Sequence, residues 1–232
     1  RSSANMHMIP ADDAVAAGER AFKADPSNPE ANWILGSLYA RMSEMPNTRE
    51  ADRQTYTQQA IAGLEKANRN AHPGVPMMLG RLYIADRRYD RAIALLLPFV
   101  AEQPDQVEAV ALLAEAYQAT DRDADAIALL ERSVEDSPEL YSTLGQAYQD
   151  SGRWRDAATA YQNAVEERPQ SLPLRSQWAT ALLNTGEAQR ARDALEAGSA
   201  GNSRNSRALY LLSEAQRRTG DFAAAEVTAR RL

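Results

Sequence analysis

Apolar side chains recur along this chain at three- and four-residue intervals, over stretches several turns long, and short polar breaks separate the stretches; this is the period of amphipathic helices. The segment YSTLGQAYQDSGRWRDAATAYQNAVEERP, from Tyr141 to Pro169, is the clearest case. Leu144, Gly145 and Tyr148 share one helical face, and Ala157, Tyr161 and Ala164 share another. Ser151-Gly152 interrupts the two runs and Pro169 ends the second, so the pattern predicts two helices joined by a tight turn. Runs rich in Val, Ile and Thr, which a buried sheet needs, are missing, and the expected fold class is all-α.

The same ruler fits elsewhere. Leu79, Gly80, Tyr83, Ala92, Leu96 and Pro104 repeat the pattern, as do Leu113, Ala114, Tyr117, Ala126, Leu130 and Pro138. Trp178, Ala179, Leu182, Gly186, Ala191 and Leu195 form a weaker copy. Further copies open at Leu35, Gly36 and Tyr39 and at Leu212, Ser213, Gly220 and Ala225. The small-residue column Gly36, Gly80, Ala114, Gly145, Ala179, Ser213 advances in steps of 44, 34, 31, 34 and 34 residues. These residues, in this order and at this period, resemble the tetratricopeptide repeat (TPR) signature. The resemblance implies a right-handed α-solenoid, a superhelix of helix-turn-helix repeats in which small residues let paired helices approach and large ones fill the gaps.

On that reading residues 1–10 are an irregular lead and 11–232 a single array. It divides into a half repeat at 11–28, a repeat at 29–72, repeats at 73–106, 107–137 (short), 138–171 and 172–205, and a truncated repeat at 206–232. In the half repeat Ala14, Ala21 and Pro26 stand where a second helix would place them. The repeat at 29–72 holds about a dozen extra residues between Tyr39 and Ala60, a polar stretch broken at Pro46-Asn47. Thr48 is the expected N-cap there, and both helices are expected to gain one to two turns and project as a hairpin tip over roughly 42–56, as a tolerated rim insertion or a partner contact. The short step at Ser137-Pro138 is expected to tighten one connection and shift the local superhelical angle. Neither end carries an evident polar cap, so further repeats, another domain in a longer parent or an intermolecular contact is expected to cover the terminal faces.

Charge and chemistry narrow the function. The chain has 26 Lys and Arg against 32 Asp and Glu, a net charge of -6, and short basic clusters at Asp86-Arg87-Arg88 and Gln216-Arg217-Arg218 read as solvated helix ends. Nucleic acid is therefore not the expected partner, and no code column of the kind RNA-reading helical repeats use is present. Cysteine is absent, which removes disulfides and thiolate metal sites. No apolar run approaches the roughly 20 residues needed to insert directly into a membrane. The first ten residues, RSSANMHMIP, look processed or engineered, and the compartment stays open between bacterial cytoplasm and periplasm.

Only two histidines occur, His7 in the lead and His72 before Pro73, both expected as exposed loop residues too far apart to share a metal. Asp12-Asp13 and Glu135-Asp136 fall near helix ends, where solvation explains them. No phosphate loop or nucleophile elbow appears, so catalytic residues, cofactors and metals are not expected and the chain is read as a non-enzyme. Tyr83, Tyr117 and Tyr148, at repeat spacing, are expected as core wedges.

The resemblance implies protein or peptide binding along a concave face lined by the first helix of each repeat, as a scaffold or adaptor. Carried onto this chain, the groove columns are Trp33, Ser37 and Arg41, then Met77 and Arg81, then Glu115 and Gln118. They continue with Gln146, Gln149 and Asp150, with Ser176, Thr180 and Asn184, and with Tyr210, Glu214 and Arg217. This mixture suits polar recognition of a peptide with Trp33, Met77 and Tyr210 as apolar anchors. Trp33 and Ser37 replace the Lys and Asn clamp of chaperone-binding members, and Ile34, Met78, Leu112, Thr143, Gln177 and Leu211 replace the asparagine ladder of glycosyltransferase-linked members. Two other readings stand beside the scaffold: a recognition arm of a larger enzyme, such as a bacterial transferase with its catalytic domain elsewhere, and homo-oligomerisation through uncapped terminal repeats.

Overall fold

A computed structural model describes residues 11–67, 72–198 and 204–232; the lead at 1–10, with His7, lies outside the described residues. Among them the chain forms α-helices and one 3-10 turn, with no strand. Two compact units divide between Gln103 and Pro104. In unit 1 the helices are α1 (Ala11–Ala24), α2 (Pro29–Glu44), α3 (Glu50–Leu64), α4 (Val75–Ala85) and α5 (Tyr89–Glu102). Unit 2 holds α6 (Val107–Gln118), α7 (Asp123–Ser133), a 3-10 turn at Pro138–Leu140, α8 (Tyr141–Asp150) and α9 (Trp154–Glu167). It continues with α10 (Leu172–Asn184), α11 (Ala188–Ala197), α12 (Ser206–Arg218) and α13 (Phe222–Ala229).

Local chemistry fixes the helix ends. Asn28 accepts the N–H groups of Glu30 and Ala31 at the start of α2, with Pro29 in the first turn where its missing N–H costs nothing. Asn205 and Asp221 cap α12 and α13 in the same way. From the α4–α5 turn onward, each turn that joins a first helix to its second contains one residue in the left-handed region, Arg87, Asp121, Gly152, Gly186 and Gly220, whereas the α2–α3 turn contains none. The residue after it donates its N–H five positions back, from Arg88 to Tyr83, Arg122 to Tyr117, Arg153 to Tyr148, Glu187 to Leu182 and Asp221 to Gln216. This is the Schellman closure, and it reverses the chain within a few residues.

The small-residue column sits where paired helices touch. A Cβ added to Gly145 would stand 2.7 Å from the Tyr161 ring, and one added to Gly80 would stand 2.9 Å from the tip of Leu96. Tyr39, Tyr83, Tyr117 and Tyr148 are buried, as a wedge role requires. The Tyr39 hydroxyl donates to Glu19 and that of Tyr83 to Glu65 in unit 1, and the Tyr148 hydroxyl donates to Glu131 in unit 2, so these three wedges also tie their helices to the preceding helix or its C-terminal end. Burial first, and the neighbouring carboxylate second, push the Tyr39 and Tyr148 phenols up to about 12.

The insertion between Tyr39 and Ala60 takes a form only partly expected. Against α4, which ends two residues after Tyr83, α2 runs five residues past Tyr39, a gain of about one turn. Helix α3 gains about two turns ahead of Ala60 but stops at Leu64, four residues beyond it, whereas α5 runs ten residues past Ala92. The second helix is thus shifted more than lengthened, 15 residues against 14. Thr48 does not cap α3: that position falls to Arg49, which makes no side-chain cap bond. The Thr48 hydroxyl donates instead to the Met42 carbonyl, 2.8 Å away, closing the last turn of α2.

Candidate functional site

The first helices of unit 1 are α2 and α4. The indole of Trp33 stacks on the imidazole of His72, centroid to centroid 3.9 Å and 4° from parallel. His72 Nε2 lies 2.9 Å from a Glu30 carboxylate oxygen, and its side chain is 17% exposed. The expectation of a solvated loop histidine is therefore corrected: the turn before α4 folds the ring back onto α2, where stacking and one hydrogen bond hold it. Trp33 keeps one face covered and is half-buried. Ser37 spends its hydroxyl on the Trp33 carbonyl, Arg41 is exposed, Met77 is half-buried, and Arg81 stands 3.9 Å from Glu44 at the extended end of α2.

In unit 2 the strongest convergence is on α8 and α10. Gln146 donates to Asp150 across one turn, at 2.7 Å, while its amide oxygen accepts from the Tyr161 hydroxyl at 3.2 Å and from the Gln177 amide at 3.5 Å. Gln149 accepts from the same hydroxyl at 3.5 Å. Tyr161 belongs to the second helix α9 and is fully buried, and its phenol reaches this face because Gly145 has no side chain in the way. Burial, then the nearby Asp150 charge, raise the Tyr161 phenol well above the usual tyrosine range, so it remains a donor at neutral pH. The result is a polar row whose bonds orient each other.

The other candidates divide. Ser176 is 4% exposed and donates to the Leu172 carbonyl, so it faces packing rather than a partner. Thr180 donates to Ser176 and the exposed Asn184 donates to Thr180, both to backbone carbonyls one turn back. Glu115 is exposed and Gln118 half-buried on α6. On α12 Tyr210 is 59% exposed, a large ring left to solvent. Glu214 is gripped by Arg217 and Arg218, whose hydrogen bonds hold its carboxyl down at about 2. Sequence reasoning missed His72, Glu30 and the Tyr161 hydroxyl; a tyrosine sixteen residues after a glycine, where other repeats carry leucine, was the available signal for the last.

Among the described residues no group of three or more His, Cys, Asp or Glu side chains could hold a metal ion, and no helix is long and apolar enough to cross a membrane. Recurrent helix pairs with Gly or Ala at their contact, tyrosine wedges, Schellman turns and a polar first-helix face define a helical-repeat protein of the all-α solenoid class. Family profiles described as Tetratricopeptide repeat match residues 11–60, 77–140 and 176–232, and a second such profile matches 148–203. The chain belongs to the tetratricopeptide repeat family, which makes it a protein-interaction scaffold of a kind that is generally non-catalytic.

Solved structures agree on the fold. A tetratricopeptide repeat protein from Parabacteroides merdae superposes with a TM-score of 0.62 at 15% identity, covering 95% of this chain and 85% of that one. A thermophilic TPR protein of Thermus thermophilus gives 0.50 at 25% identity, covering 75% and 91%. YrrB, described as a TPR protein with an unusual peptide-binding site, gives 0.53 at 15% identity, covering 94% and 100%. A comparison with curated proteins found no match.

Proposed function

We propose that the first-helix face of unit 2 holds a partner peptide, with the Gln177–Gln146–Asp150 row as its polar centre and Tyr210 as an apolar anchor. The row carries the reading. Its amides are preorganised by the Tyr161 hydroxyl and retain donors and acceptors suited to peptide N–H and C=O groups. Asp150 is exposed at its end and favours a basic side chain on the partner. Trp33, Met77, Arg41 and Arg81 form a second, separate candidate face on unit 1. The description of YrrB as a peptide binder lends support by analogy.

Selection of peptides from a displayed random library against the purified chain tests this. Binders enriched in lysine or arginine are expected, and Gln146→Ala with Asp150→Ala is expected to weaken them by about 1.5–3 kcal/mol, the range for hydrogen bonds to charged groups. Binders that hold equally well to this double variant, with its melting curve unchanged, would remove the unit 2 face. Self-association is a separate proposal, which sedimentation across a concentration series checks.

A further inference from the structure

A cavity of about 340 Å³ lies between α1, α2 and α3 of unit 1, and none of the peptide-face candidates lines it. It exists because α3 is shifted. With α3 ending at Leu64, the turns that would continue a second helix are replaced by the bend at Glu65–Ala67, which places Lys66 Nζ 5.9 Å from the centre of the Phe22 ring on α1. Gly63 is bare by necessity, since its Cβ would stand 2.9 Å from the Asn32 carbonyl oxygen. Phe22, Leu35 and Ala62 supply carbon to the walls.

Two further observations point to a ligand. The chain has 26 cationic side chains, and only Lys23 and Lys66 among them are lysines; both line this cavity. Both are exposed, and among the described residues neither is ion-paired with a carboxylate. The one carboxylate in the wall, Glu19, already accepts the Tyr39 hydroxyl at 2.9 Å. Lysine is a compact point charge on a flexible stem, suited to following a small anion. The second observation is Asn32, 1% exposed and part of the same wall. Its Nδ2 donates to the carbonyls of Pro26 and Asn28 at 3.0 and 2.8 Å, which fixes the amide orientation. Its Oδ1 is left with no donor. An acceptor buried without a partner is costly, and a bound hydroxyl or N–H would relieve it.

We propose that this cavity binds a small amphipathic anion: an aromatic or short aliphatic body bearing a carboxylate or sulfonate for Lys23 and Lys66 and a hydroxyl or N–H for Asn32. The volume falls within the roughly 300–1,000 Å³ of small-molecule sites. The site is independent of the peptide faces and stands whether or not they bind.

Having only two lysines makes the test direct. Reductive methylation with carbon-13 formaldehyde labels Lys23 and Lys66, giving two dimethyl-lysine resonances beside that of the terminal amine. Titration with hydroxynaphthalenesulfonate is expected to move both lysine resonances to saturation. Naphthol, lacking the anion, is expected to bind about tenfold more weakly, as is naphthalenesulfonate, lacking the hydroxyl. Ala62→Phe, which fills the cavity from an exposed position, is expected to abolish the shifts with the helical melting curve retained. Lys23→Gln, at an exposed position, is expected to keep the helical melting curve and to weaken binding severalfold as read at Lys66. Resonances that stay still or drift without saturating, equal affinity for naphthol, or binding indifferent to both variants would overturn the proposal.

Discussion

The contact between Gly145 and Tyr161 offers the sharpest test of how this repeat is packed. A methyl group on residue 145 would lie 2.7 Å from two ring carbons of Tyr161 and 3.0 Å from a third. The ring is fully buried and cannot swing away, so α8 and α9 must part. Overpacking of this kind costs about 1–3 kcal/mol. Replacing glycine within a helix returns up to about 1 kcal/mol. Gly145→Ala is therefore expected to destabilise by about 1–2 kcal/mol. Tyr161→Leu alone leaves a void and deletes the hydroxyl that orients Gln146, at about 2–4 kcal/mol.

The double variant is the informative one. It recreates the pairing of Ala114 with Leu130 and of Ala179 with Leu195, four residues that are buried at the same sixteen-residue separation. The combined cost is expected to fall short of the two single costs together by about 1–2 kcal/mol, since the methyl enters space the ring has vacated. Gly80→Ala is the milder comparison: its Cβ would meet the Leu96 Cδ atoms at 2.9 and 3.1 Å and Cγ at 3.2 Å, a branched aliphatic rather than a rigid ring, and the change is expected to cost less than Gly145→Ala. Urea unfolding followed by circular dichroism measures all four. Additivity of Gly145→Ala and Tyr161→Leu within about 0.5 kcal/mol would refute the steric account.

Two more outcomes follow from the turns and the ionised groups. Arg87 and Asp121 hold φ of 57° where Gly152, Gly186 and Gly220 occupy the equivalent turns, so Asp121→Gly is expected to raise stability by about 0.5–1 kcal/mol and Gly152→Ala, with open space around its Cβ, to lower it by a similar amount, read by thermal melting. Glu214 titrates near 2 rather than at its ordinary 4.5, so its contribution is present above about 4.5 and lost as pH falls toward 2; Glu214→Gln is expected to flatten the fall in melting temperature across that window.

Much of this architecture was written in the chain. Amphipathic periodicity and the turn glycines Gly152, Gly186 and Gly220 determined where helices pair, because burial of one face and a left-handed turn are both local demands. The steps of the small-residue column also located the extra residues before Ala60. Periodicity says which face is buried; it does not say how far one helix slides along another. That register was decided by tertiary contact, where Gly63 meets Gly36 backbone to backbone. From it follow the early end of α3 and the meeting of Lys66 with Phe22. The stacking of His72 on Trp33 and the passage of the Tyr161 hydroxyl past Gly145 likewise join residues remote in sequence. Thr48, an N-cap by type, lies one residue before the Arg49 cap position and donates its hydroxyl to the Met42 carbonyl at the end of the lengthened α2. Side-chain partners across helices depend on that sliding, and only the packed structure supplies it.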